Sequence, residues 1–124
     1  MGDITVPRNT TLKLSRVDGQ LLVLERARVQ AEGASPIEVA GEVNCEGDAV
    51  FEGSLTCARL NAERGRVEIL GDLKVSGDID VDRGELRVNG SLDAGSVEVD
   101  ARLIVGKSAI AHGFDIGGAL EIGG

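Results

Sequence analysis

Between Val67 and Val105 the apolar residues come in pairs with one residue between them. The pairs are Val67-x-Ile69, Leu73-x-Val75, Ile79-x-Val81, Leu86-x-Val88, Leu92-x-Ala94, Val97-x-Val99 and Leu103-x-Val105, each starting five to seven residues after the last. Alternation with a period of two places both apolar side chains of a pair on one face of a strand. The residues between pairs are rich in Gly, Asp, Asn and Ser, which tolerate positive φ or hydrogen-bond their own backbone and so suit tight corners. The pattern predicts short strands, each with one buried face, joined by sharp bends.

A longer period contains the shorter one. Shifted by 19 residues, Leu60–Leu73 falls on Ile79–Leu92: Leu60 on Ile79, Ala62 on Val81, Arg64-Gly65 on Arg83-Gly84, Val67 on Leu86, Gly71 on Gly90. Internal repetition near 20 residues is the signature of a solenoid. Three strand-and-corner units make one turn of roughly 18 residues, so the expected fold is all-β: a single-stranded, triangular β-helix (β-solenoid). Successive turns stack at the strand spacing of about 4.8 Å. The chain reads as one domain of about six turns, a rod roughly 25–30 Å long.

Residues 37–124 carry the regular turns, opened by Ile37, Leu55, Leu73, Leu92 and Ala109. Residues 1–36 keep the theme less clearly, in Ile4-x-Val6, Leu12-x-Leu14, Leu21–Leu24 and Ala27-x-Val29, and read as irregular N-terminal coils or a cap. In Leu21–Leu24 a one-residue slip would exchange faces. Aligning sixteen residues back from Ile37 and Val39 points Leu21 and Val23 inward.

Composition narrows this picture. With 18 glycines, two Phe, no Trp, no Tyr and 42% apolar residues, the interior must be a narrow column of small aliphatics. No sustained helical stripe is present. A formal net charge of −8 argues against a nucleic-acid partner, which needs a basic patch, and against docking on anionic lipid. Cys45 and Cys57 each close an apolar pair, so both should point inward as small hydrophobes on different edges, without a disulfide. No secretory core or membrane-spanning stretch is present, and Met1-Gly2-Asp3 lacks the residue a myristoylation signal needs. The expectation is a soluble cytoplasmic protein.

Catalytic chemistry is sparse. His112 is the only histidine, too few for a three-histidine zinc site, and it reads as a corner residue of the last turn. Asp78, Asp80 and Asp82 alternate along one strand and read as a solvated face. Glu63/Asp82 and Arg64/Arg83 should stack at one corner, where acid–base neighbours could form a ladder. The four threonines form no flat ice-binding face. No catalytic, cofactor or metal site is expected, and the chain does not read as an enzyme.

The ends carry the functional expectation. The first and last turns of a solenoid present unpaired backbone groups, an edge-strand liability. The sequence ends in Gly-Gly-Ala-Leu-Glu-Ile-Gly-Gly, still on the beat, and Phe114 stands in that last turn. The recurrent Gly-x-Φ-x-Φ-x-Gly units, such as Gly71-Asp-Leu-Lys-Val-Ser-Gly77, and the Phe-containing, Gly-rich final turn resemble those of the bactofilins, over residues 20–124. The resemblance implies a right-handed β-helix and a cytoskeletal protein that assembles end to end into filaments without nucleotide. Phe114 matches the aromatic residue of the family's polymerising contact. The expected polymer interface is Phe114, Ile116, Leu120 and Ile122 at one end, and Ile4, Val6, Leu12 and Leu14 at the other. The partner would be further copies of the chain. The alternative is a β-solenoid oligomerisation or binding module that forms a discrete oligomer or docks on a larger partner.

Overall fold

The computed structural model describes residues 3–33 and 36–123; the side chain of Arg64 lies outside this description. Met1 and Gly2, on which the myristoylation argument fell, are also outside it. Among the described residues every regular element is a strand. The first turn contains β1 (Ile4–Val6), β2 (Thr11–Leu14) and β3 (Arg16–Val17). The second contains β4 (Leu21–Val23), β5 (Ala27–Ala31) and β6 (Ile37–Val39), and the third β7 (Glu42–Cys45), β8 (Ala49–Glu52) and β9 (Leu55–Cys57). From there the strands run unbroken around corners, as β10 (Arg59–Ile69), β11 (Leu73–Val88) and β12 (Leu92–Val99). They are followed by β13 (Arg102–Val105), β14 (Ala109–Ile110), β15 (Gly113–Ile116) and β16 (Ala119–Ile122).

All pairing is parallel and links one turn to the next, which makes the fold a β-solenoid with three edges. On the first edge Ile4, Leu21, Val43, Leu60, Ile79, Val97 and Phe114 stack in one column. On the second, Val29, Phe51, Ile69, Val88, Val105 and Ile122 stack likewise. The third carries Ile37, Leu55, Leu73, Leu92 and Ala109. Six turns are complete, and a seventh has its first two edges in β15 and β16. The registers of Leu60–Ile69 on Ile79–Val88 are those the 19-residue repeat predicts.

The alternation explains the core. The inward residue of nearly every beat from Val6 to Val105 is buried, and together they form one hydrophobic column. The third turn shows how volume is balanced. Phe51 is fully buried there, and the other inward residues of that turn include Cys45, Ala49 and Cys57. Three small side chains offset one large one, the balance that close packing demands. Both cysteines are unbridged and buried, as expected.

Two corners show why glycine is required. Gly65 has φ of 87°, and a Cβ there would meet Asp48 Oδ1 at 2.7 Å. That carboxylate accepts a 2.8 Å hydrogen bond from the Arg66 amide, tying one turn to the next. Gly84 lies over Gly65, and a Cβ on it would collide with the Gly65 carbonyl. Another corner is tied by short side chains. Ser54 Oγ accepts from the Asp72 amide at 3.0 Å, and Asp72 Oδ1 accepts from the Ser91 amide at 2.8 Å.

Residues 3–33 stack in the same three columns. Leu21 and Val23 do face inward, but they lie on Val43 and Cys45, not on Ile37 and Val39. The true neighbour of Val39 is Val17 of β3, a strand the apolar pairing does not signal because it has one apolar residue. The alignment of sixteen residues misleads because the second turn is long. Gln30 on that turn bonds Glu52 of the next, 22 residues away, whereas later cross-turn bonds span 17 to 19.

Candidate self-association surfaces

The last turn leaves its inward side chains open. Phe114 is 40% exposed, Leu120 43% and Ile122 46%, with Ile116 half-buried beside them. They occupy the positions that Val97, Leu103, Val105 and Val99 fill, almost completely buried, one turn below. Strands β15 and β16 are each paired on one side only. The four C-terminal residues singled out from sequence are therefore brought together as an apolar patch ringed by strand edge.

The N-terminal four behave differently. Ile4 and Leu12 are half-buried, Val6 is fully buried and Leu14 nearly so. Strands β1 and β2 also pair on one side only. This end thus offers backbone edge and parts of two side chains, with little open apolar surface.

Charge is distributed unevenly over the flanks. At the corner leading into the second edge, Arg66, Glu85 and Arg102 stack on successive turns. Glu85, whose side chain is 16% exposed, lies 3.2 Å from Arg66, 3.6 Å from Arg87 and 3.8 Å from Arg102. Glu85 Oε2 and Arg87 Nε make no aligned hydrogen bond, so these contacts are ion pairs held by proximity. Arg83 stands beside them with no ion pair among the described residues. Gly65, Gly84, Ala101 and Gly118 line the neighbouring column and open a groove of about 570 Å³ flanked by Arg66, Arg83 and Arg102. The ladder thus forms two residues beyond the Arg64/Arg83 register position. Arg66, Glu85 and Arg102 alternate in sign, which is the arrangement that attracts.

The first edge is acidic on its outer face over the last three turns. Asp80, Glu98 and Asp115 stack in one column, which lower in the rod carries Asn44 and Asn61. Asp80 above all holds the Glu98 carboxyl above the usual range, with desolvation, Asp115, Asp100 and Asp78 adding to it. Asp78 goes the other way: Ser96 Oγ donates to it at 2.6 Å and Arg59 lies 3.5 Å away, and both favour the carboxylate.

The remaining reactive groups are quiet. Burial pushes the Cys45 and Cys57 thiols up to about 12, far from the thiolate form at neutral pH. His112 is an exposed corner residue whose amide donates to the Gly95 carbonyl at 2.8 Å. Among the described residues no three His, Cys, Asp or Glu side chains converge as metal ligands, and no helix is long and apolar enough to cross a membrane.

The patch at the last turn was legible from sequence, because Phe114, Leu120 and Ile122 continue the beat. The arginine groove was not, because Arg66, Arg83 and Arg102 lie on three different turns and only the register gathers them. Comparison with protein families, with curated proteins and with solved structures finds no match to this chain.

Proposed function

We propose that this chain is a non-catalytic structural protein of the cytoplasm that self-associates through its terminal turns into filaments, without nucleotide. The observation that carries this reading is the last turn, where Phe114, Leu120 and Ile122 are exposed on a strand edge that is paired on one side. A second chain docking there would continue the parallel or antiparallel ladder and cover the apolar side chains. That is strand addition, with main-chain bonds supplying affinity and side-chain burial supplying specificity. The resemblance to bactofilins supports the same reading.

A second reading, a module forming a discrete oligomer, is favoured by the buried Val6 and Leu14 of the first turn. A rod with one open apolar end stops growing once that end is covered. Negative-stain electron microscopy of the purified chain without nucleotide, at low and moderate salt, separates the two. Unbranched filaments that disappear in Phe114→Arg, with the β-sheet circular dichroism unchanged, are the expected result. Discrete particles in the unmodified chain would replace the filament reading with the oligomer, and normal filaments in Phe114→Arg would remove the last turn from the contact.

A further inference from the structure

The outer column of the second edge runs, from the second turn to the seventh, through Arg28, Val50, Glu68, Arg87, Ile104 and Glu121. These side chains turn outward between buried neighbours, and Val50 and Ile104 are aliphatic all the same. Reversed, the column matches itself: Arg28 meets Glu121, Val50 meets Ile104 and Glu68 meets Arg87. We propose that this face docks on the same face of a second copy of this chain, with the two solenoids side by side and antiparallel. It lies on the flank of the rod, so the proposal does not rest on the terminal turns.

The symmetry makes the match specific. A two-fold axis across the rods, level with the gap between turns four and five, sets each column against its own copy in reverse order. Each of the three pairs then forms twice, and the contact closes as a dimer. The corner column beside it obeys the same axis, with Arg66 facing Glu85 and Asp48 facing Arg102. There the second copy adds opposite charges around the existing ion pairs of Glu85 and displaces none of them. Four arginines and four acids make up these charged pairs, so the face is neutral on a chain of net charge −8. Parallel rods about an axis along their length would instead set Arg28, Glu68, Arg87 and Glu121 each against its own like charge. A hollow of about 370 Å³ bounded by Asp48, Val50, Arg66 and Glu68 stands opposite Ile104 of the second copy and gives its side chain a seat. Six strands about 4.8 Å apart and about 13 Å long cover roughly 400 Å² per copy. That is about half of the roughly 800 Å² of a standard interface, so the pair is weak and reversible. The third edge offers a lesser match, since Arg16, Glu38, Thr56, Lys74 and Asp93 also reverse onto themselves about Thr56, with no apolar pair.

The test is run in the Phe114→Arg background, which removes association through the last turn. Sedimentation equilibrium at about 0.1 M salt, where screening over about 10 Å spares close pairs, follows the chain up to about 1 mM. The parent should be a reversible dimer. Arg87→Glu alone and Glu68→Arg alone should each weaken it about tenfold, since each sets like charges together at both symmetry-related positions. An equal mixture of the two restores opposite charges at both positions and should recover the parent affinity in a mixed dimer. That recovery also shows that both variants are folded. A short bis-maleimide reads the register, because Cys45 and Cys57 are buried. Val50→Cys mixed with Ile104→Cys should cross-link, and neither should cross-link with itself, its two copies lying about 14 Å apart along the rods. A monomeric parent, single charge variants that dimerise like the parent, or a mixture no tighter than either variant alone would each overturn the proposal. So would Thr56→Cys cross-linking with itself in place of the Val50→Cys and Ile104→Cys pair, which would move the contact to the third edge.

Discussion

Phe51 and Phe114 are the only two aromatic residues of the chain, and both take an inward position on a strand of the same solenoid. Phe51 is fully buried and Phe114 is 40% exposed. Nothing in their local patterns distinguishes them: Ala49-x-Phe51 and Phe114-x-Ile116 are both two-residue apolar beats. What differs is the company. Phe51 has Val29 on the turn before it and Ile69 on the turn after it, whereas Phe114 has Val97 below and no described turn above. In a solenoid an inward side chain is buried by the turns on both sides, so the same beat makes core in the middle of the rod and exposed apolar surface at the last described turn.

The largest expected effect tests that contrast directly. Phe51→Ala should cost about 3–5 kcal/mol, because the stacked turns cannot collapse onto the cavity. Phe114→Ala should cost less than about a third of that, because the site already opens to water. Urea unfolding of both variants measures the difference, and equal losses would mean that Phe114 is covered in solution.

A smaller effect sharpens the role of the third turn, where Cys45 and Cys57 make room for Phe51. Both thiols have an ordinary value of 9.0 and are raised to about 12 in the fold. The folded chain therefore holds these protons more tightly than the unfolded chain does. Their contribution is present in full below about pH 9 and is lost as pH rises from there towards 12. Urea midpoints should fall between about pH 8 and pH 10.5, and the slope should flatten in Cys45→Ala and Cys57→Ala. A slope unchanged by both substitutions would assign the loss to other groups.

The smallest effect belongs to the last turns. The Glu98 carboxyl is raised above its usual range, so its charged form is disfavoured in the fold. Glu98→Gln should raise the melting temperature slightly at pH 7 under conditions where the chain is monomeric. The gain should vanish as pH falls below about 4.5, where the native carboxyl is protonated in both states. A lower melting temperature at pH 7 would mean that Glu98 already has a favourable partner within its own chain.

Period-two beats at Val67–Val105, glycine at the corners and the 19-residue repeat were enough to read a three-edged solenoid of about six turns and nearly all its inward residues. They suffice because both signals are local: alternation assigns faces, and repetition assigns columns wherever turns have equal length. They fail where the turn length changes. The long second turn put Leu21 on Val43, and β3, with one apolar residue, was invisible. The patch of Phe114, Leu120 and Ile122 could be read from the beat, but the burial of Val6 and Leu14 could not, since exposure at an end depends on what covers it. The arginine groove and the acidic column lay beyond the sequence for a related reason. Their members are separated along the chain by whole turns, and only the stacking register decides which charges become neighbours.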